Sequence, residues 1–182
     1  MGINNVQFSK AVSHALRHEP WLYELEPDET GWVLIEDLLS ALRRQRQQWK
    51  GLNEKHLAAM IKSSSKTRFE LADNKIRAYY GHSLPGKLQK VKAMPPDKLF
   101  HGTSHSALGI IMSKGLMPMS RQYVHLSSDL KTARLVGRRK DKNPVILVIN
   151  AKAAHEKGIA FYIGNQAVWL ADIIPPDFIQ LK

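Results

Sequence analysis

Cysteine is missing from this chain, and with it go disulfide frameworks, zinc ribbons, iron-sulfur clusters and thiol catalysis. Any chemistry has to use His, Arg, Ser, Thr, Tyr or carboxylates. Long apolar runs are missing too. The clean stretch Val145 to Ile149, which no other exceeds, is far short of the roughly 20 residues that span a bilayer. The polar start Met1-Gly2-Ile3-Asn4-Asn5 does not read as a signal peptide, so a cytoplasmic location and no membrane partner are expected. Four motif classes are also absent: a Walker-type GxxxxGK loop, a GxGxxG after a strand, HExxH and a GxSxG elbow. Walker NTPases, Rossmann dehydrogenases, zincins and α/β-hydrolases are set aside with them.

Negative charge is scarce, with 16 Asp and Glu against 27 Lys and Arg, a net +11 over 182 residues. The excess is spread along the chain, +4 in residues 1–90 and +7 in residues 91–182, so it is not a detachable basic tail. Such a field favours anionic partners, nucleic acid or a phosphorylated small molecule among them. The length suits one domain or two small lobes, each able to bury a core without staples.

The first half reads as short helices followed by a hairpin. Phe8, Val12, Ala15 and Leu16 recur at helical spacing, and Pro20 stops the pattern, which puts Arg17 and His18 at a helix C-terminus. After a turn at Thr30-Gly31, a second amphipathic helix carries Ile35, Leu38, Leu39 and Leu42, with a polar end from Arg43 to Gln48. Asn53 is a good N-cap for a third, which buries Leu57, Met60 and Ile61. Arg68 to Leu71, a turn at Asp73-Asn74 and Ile76 to Tyr80 predict a hairpin. Helices followed by a β-wing predict a winged-helix-like lobe over residues 1–90.

The hydrophobic pattern lapses between Gly81 and Pro96, where a linker is expected. Beyond it, strands are predicted at Lys98 to Phe100, Tyr123 to Leu126, Val145 to Ile149, near Ile159 to Tyr162 and near Val168 to Ile173. Helices are predicted from about Ser106 to Lys114, stopped by Gly115, and from about Asp129 to Val136. The class is α+β, with residues 91–182 as the second lobe.

Arg and His gather where these elements end: Arg17-His18, Arg68, Gly81-His82-Ser83, His101-Gly102-Thr103 and Arg121 to Ser127. Converging guanidinium groups suit a phosphate dianion, because each donates paired N–H bonds to its oxygens. A histidine beside them adds a hydrogen bond or moves a proton near neutral pH. Taken singly, an Arg is more often a solvated surface charge, and His18 alone is more often a helix-terminal cap. His101 is expected where the chain turns out of a buried strand. His14, His56, His105 and His155 show no metal-ligand spacing with carboxylates, so no metal is expected.

As a set, these residues resemble the NAD-dependent RNA 2′-phosphotransferases of the KptA type over nearly the whole chain. The matching segments are Ser13-His14-Ala15-Leu16-Arg17-His18 with Pro20, Gly31-Trp32-Val33, Lys66-Thr67-Arg68-Phe69 and Ile76-Arg77-Ala78 with Gly81-His82-Ser83. The second half adds Leu99-Phe100-His101-Gly102-Thr103, Val124-His125-Leu126-Ser127, Pro144-Val145-Ile146-Leu147 and Val168-Trp169-Leu170.

The resemblance implies a winged-helix-like RNA lobe and a C-terminal lobe like the ADP-ribosyltransferases. It further implies that an internal RNA 2′-phosphate attacks the nicotinamide ribose of NAD⁺ and expels nicotinamide. The ribose 2″-hydroxyl then attacks the phosphorus, leaving 2′-hydroxyl RNA and ADP-ribose 1″,2″-cyclic phosphate. The family's catalytic set falls on Arg17, His18, Arg68 and Arg121. The NAD⁺ contacts fall on His101, Gly102 and Thr103, with His125, Ser127 and Val168 at the other positions of that fold's signature. Val168 stands where protein-modifying relatives often carry Glu, and a phosphate nucleophile needs no such base. Arg77, Gly81, His82 and Ser83 are expected at the RNA phosphate. The implied partners are NAD⁺, consumed as co-substrate, and a tRNA-like RNA; a monomer is expected, though no residue fixes the oligomeric state. Two other readings remain open at this point: an ADP-ribosyltransferase that caps phosphorylated nucleic-acid ends, and a non-catalytic RNA-binding module.

Overall fold

The computed structural model describes residues 4–64 and 66–182. They form two compact units that divide between Gln89 and Lys90. Among the described residues are six α-helices and two antiparallel sheets, so the chain is mixed α and β. No helix among them is long and apolar enough to cross a membrane.

In the first unit, the side chain of Asn4 accepts from the backbone N–H groups of Val6 and Gln7 and so starts α1 (Asn5–Arg17). Phe8, Val12, Ala15 and Leu16 point inward and are at most 1% exposed. The helix ends before Pro20, which opens a 3-10 turn (Pro20–Tyr23), so Arg17 is the last helical residue and His18 the C-cap. Next come β1 (Val33–Leu34), α2 (Ile35–Gln45) and α3 (Glu54–Ser63). Asn53 caps α3 through a reciprocal bond pair with His56. In the hairpin of β2 (Phe69–Ala72) and β3 (Lys75–Ala78), Asp73 and Asn74 both take left-handed φ, 47° and 60°, the geometry a tight two-residue turn demands. β1 adds to the outer side of β3, giving the order β1-β3-β2.

The segment expected as a linker divides differently. His82 and Leu88 are buried, the Ser83 N–H donates to the Arg17 carbonyl at 2.8 Å, and the Gln89 N–H donates to the Glu29 carbonyl at 2.8 Å. Residues 81–89 therefore belong to the first unit. Two anchors several residues apart leave no periodic apolar signal, which is why the pattern lapses there.

The second unit contains β4 (Lys98–Thr103), α4 (His105–Lys114), β5 (Val124–Ser127), α5 (Leu130–Gly137), β6 (Val145–Asn150), α6 (Ala151–Glu156), β7 (Phe161–Ile163), β8 (Val168–Ala171) and β9 (Ile179–Leu181). They make one antiparallel sheet in the order β7-β8-β5-β4-β6-β9, over a core that includes Leu99, Leu147, Ile149 and Phe161. Strand β4 is longer than expected. It pairs with β6 at every residue from Lys98 opposite Asn150 to Thr103 opposite Val145. His101 therefore lies within a strand and not at a turn. The strands expected near 159–162 and 168–173 run from 161 to 163 and from 168 to 171. α6 and β9 are additional elements.

The sheet has a seam. Against the six paired positions of β4 with β6, β4 meets β5 at one pair only, Phe100 opposite Ser127. Two three-stranded halves, β7-β8-β5 and β4-β6-β9, are thus joined in the backbone at a single position.

Candidate active site

In the first unit, the C-terminus of α1 brings four of the expected site residues together. Arg17 is only 9% exposed, and its Nη2 donates to the backbone carbonyl of Arg68 at 3.4 Å. Its guanidinium carbon lies 5.5 Å from the Phe69 ring centre and 5.4 Å from that of Tyr80. Both distances fall within the range where a ring face attracts a cation, so two aromatics bracket the group and limit its rotation. Arg68 leaves the α3–β2 connection half-buried, with its Nη1 donating to the Ser64 hydroxyl at 2.8 Å. His18 follows Arg17 directly, and its Nδ1 lies 2.8 Å from the Ser83 hydroxyl. Because the Ser83 N–H also bonds the Arg17 carbonyl, Ser83 ties segment 81–89 to the helix end on which both residues stand.

Behind them, His14 sits one turn back on α1. Its Nε2 is 3.0 Å from a Glu19 carboxylate oxygen and its Nδ1 is 3.2 Å from the Tyr23 hydroxyl. Phe69, Tyr80, Ser64 and His14 all support this cluster. His14 and Phe69 fall in the matching segments of the sequence without a role of their own, and Tyr80 and Ser64 carry no separate signal there, since each acts through a neighbour that folding supplies.

In the second unit, the seam carries the other group. His101 Nδ1 lies 3.0 Å from the backbone carbonyl of His125. A carbonyl only accepts, so Nδ1 carries the hydrogen and donates, and in the neutral ring Nε2 is left as an acceptor. Burial pushes the His101 pKa below its ordinary value, against the smaller opposing effect of that hydrogen bond, so the ring is neutral at neutral pH. One side chain thus bridges the two half-sheets just beyond the point where their backbones part. Thr103 and Ser127 are both buried, and Val168 is half-buried opposite Ser127 in the β5–β8 ladder.

Gly102 has a packing reason to be glycine. A Cβ there would collide with the backbone carbonyl oxygen of Ala133 in α5 and stand 3.0 Å from Gly137 Cα. Gly137 in turn faces Gly102 Cα at 3.0 Å from its own hypothetical Cβ. Two glycines let α5 lie directly on β4, and the same closeness fixes the strand segment that holds His101.

The remaining residues fall elsewhere. Arg121 is exposed in the turn before β5, its N–H donating to the Pro118 carbonyl at 3.0 Å. Arg77 stands on β3 with its guanidinium 4.5 Å from the Trp32 ring centre and its Nε 2.7 Å from a Glu70 carboxylate oxygen. The Glu70 carboxylate and the Trp32 ring hold that charge at the hairpin. Gly81 takes φ 90°, the left-handed turn that glycine favours, and His82, 3% exposed, packs beside Gly31.

The arrangement is suited to anion chemistry. Cations held by aromatic faces, a carbonyl and a hydroxyl are placed before the substrate arrives and need no reorganisation when negative charge develops.

Comparison with known proteins agrees. The family model described as RNA 2′-phosphotransferase, Tpt1 / KptA family, matches residues 3–173. A Bacillus thuringiensis subsp. konkukian protein named "Probable RNA 2′-phosphotransferase" is 56% identical over 174 residues, covering 96% of this chain and 94% of its own length. Proteins of the same name from Acetivibrio thermocellus and Pyrococcus horikoshii are 48% and 38% identical over 180 and 172 residues. They cover 99% and 94% of this chain, and 98% and 96% of their own lengths. With the family model matching residues 3–173 and a relative 56% identical over 96% of the chain's length, the chain belongs to the RNA 2′-phosphotransferase family of the Tpt1 / KptA type.

Proposed function

We propose that this enzyme removes an internal 2′-phosphate from RNA by transferring it to NAD⁺, leaving 2′-hydroxyl RNA, nicotinamide and ADP-ribose 1″,2″-cyclic phosphate. The family match over residues 3–173 is the observation that carries this reading. In it, the first unit is a winged-helix-like RNA lobe and the second an ADP-ribosyltransferase-like NAD⁺ lobe, acting as a cytoplasmic monomer. NAD⁺ supplies the ribose that accepts the phosphate.

The residues at the seam fit such a dinucleotide. The neutral His101 offers Nε2 as an acceptor for a ribose hydroxyl, a bond that a protonated ring could not accept. Gly102 presents backbone without a side chain, and Thr103, His125, Ser127 and Val168 line the same strands. No metal is required by this donor set.

The RNA phosphate is assigned to the arginines. Arg17 and Arg68 hold the dianion and stabilise the added charge as phosphorus becomes pentavalent, and Arg121 is assigned the same task. An arginine cannot act as a base, so proton movement falls to His18, steadied by Ser83. Gly81 and His82 shape the segment that carries Ser83.

The test uses purified protein, an oligonucleotide with one internal 2′-phosphate, and NAD⁺ present or withheld. Dephosphorylation only with NAD⁺, matched by one nicotinamide released per phosphate lost, is the expected result. Dephosphorylation without NAD⁺ refutes the reading.

A further inference from the structure

The second unit carries a cationic surface that the proposed chemistry does not use. Arg134, Arg138, Arg139, Lys140 and Lys142 fall within nine residues and are all exposed. One carboxylate, Asp141, stands among them. It is engaged at the start of α4, 3.0 Å from His105 Nδ1 and 3.2 Å from the His105 backbone N–H. That hydrogen bonding holds its pKa at about 2. Among the described residues, none of the five cations has an ion-pair partner.

The surface is also rigid. The Arg138 N–H bonds the Arg134 carbonyl, and the N–H groups of Arg139 and Lys140 bond the carbonyls of Val136 and Gly137, so the chain stays in tight turns through the basic run. Gly137 itself is locked against Gly102 and Pro144. The negative end of α5 accounts for Arg134 and Arg138, since that effect fades within the last turn. It does not account for Arg139, Lys140 and Lys142. Five like charges so close repel one another in the free protein, and a polyanion removes that repulsion. No aromatic side chain lies between Asp129 and Pro144, so this stretch itself offers bases no ring to stack on. Such a run of cations is suited to phosphates, whose recognition carries no sequence information.

We propose that the C-terminal end of α5 and the turn after it bind the phosphate backbone of the RNA strand that flanks the 2′-phosphorylated nucleotide. This rests on the reading of the substrate as RNA, and it adds a contact carried by elements of the second unit to those assigned to Arg17 and Arg68 in the first. The surface sets affinity for long RNA and leaves the phosphate-transfer step alone.

The experiment compares wild type with the triple variant Arg138→Gln, Arg139→Gln, Lys140→Gln. Binding of a fluorescent single-stranded RNA is followed between about 50 and about 200 mM salt, conditions over which counterion release is readily seen. Each lost phosphate contact lowers the slope of log affinity against log salt by about 0.7 on a single strand, so three lower it by about 2. Wild-type affinity should accordingly fall about 20-fold more than the variant's over that range. The KM for a long 2′-phosphorylated RNA should rise while the KM for NAD⁺ stays.

Identical salt slopes for the two proteins overturn the proposal, as does loss of slope for anionic lipid vesicles in place of RNA. Should the triple variant fail to fold, the single change Arg139→Glu carries the same test, with a slope reduced by about 0.7 expected. RNA binding is read without turnover. An inactive wild type with a salt slope that falls in the variant would sink the phosphotransferase reading and keep this surface; an active enzyme with an unchanged slope would do the reverse.

Discussion

Replacing Gly102 by alanine separates two explanations of the same residue. Either its missing side chain lets backbone approach a dinucleotide, or it lets α5 lie on β4. The added Cβ would overlap the Ala133 carbonyl oxygen and stand 3.0 Å from both the Ala133 carbonyl carbon and Gly137 Cα. All three are backbone atoms, so no flexible side chain can move aside, and helix and strand must separate. Overpacking a core usually costs 1–3 kcal/mol, and a purely backbone collision belongs at about 3 kcal/mol. For a chain of this size that lowers Tm by about 6 to 12 °C. Thermal unfolding followed by circular dichroism reads it directly. The loss should be accompanied by weaker NAD⁺ use, because His101 is held by the same strand. A Gly102→Ala protein melting within about 1 °C of wild type while losing NAD⁺ affinity would refute the packing argument and leave the cofactor explanation alone.

Arg17→Lys keeps the charge but loses the planar group bracketed by Phe69 and Tyr80, so kcat should fall by about two decades, about 3 kcal/mol of transition-state stabilisation, in steady-state assays. An unchanged kcat removes Arg17 from the site. Ser83→Ala removes the partner of His18 Nδ1; a neutral hydrogen bond of about 1 kcal/mol predicts an approximately fivefold lower kcat, with a displaced pH-rate profile and an unaltered KM for NAD⁺. A profile that superimposes on wild type would show that Ser83 does not position the ring. His101 has a depressed pKa, so the folded protein binds a proton there less readily than the unfolded chain. Its contribution to stability is present above the ordinary histidine pKa of about 6.5 and falls as pH drops below that value. The KM for NAD⁺ should hold down to that pH and rise only further into acid. A KM that rises between about pH 8 and pH 7 contradicts the assignment.

Much of this arrangement is legible in the residues. Pro20 ends α1, Asn53 opens α3, Asp73-Asn74 turns the hairpin and Gly115 ends α4, because each of these signals is local. What the sequence hides is held by distant partners. Strand β4 reads as ending at Phe100, since histidine and glycine break the apolar alternation, yet β6 pairs with it through Thr103. Gly102 and Gly137 are 35 positions apart in the numbering and meet only when α5 packs. His101 finds a backbone carbonyl, which no residue type announces. Arg77 is expected at the RNA phosphate beside Gly81-His82-Ser83, and its contacts to Glu70 and Trp32 come from strand register, which its sequence neighbours do not announce. β9, three residues after two prolines, is too short to show a period.

The central claim concerns where the phosphorus goes. An oligonucleotide carrying an isotopically labelled internal 2′-phosphate, incubated with enzyme and NAD⁺ and resolved by mass spectrometry, should lose its label to ADP-ribose as a cyclic phosphate while the RNA ends as a 2′-hydroxyl. Label recovered as inorganic phosphate with NAD⁺ intact, or left on RNA as a stable ADP-ribose adduct, would contradict the account.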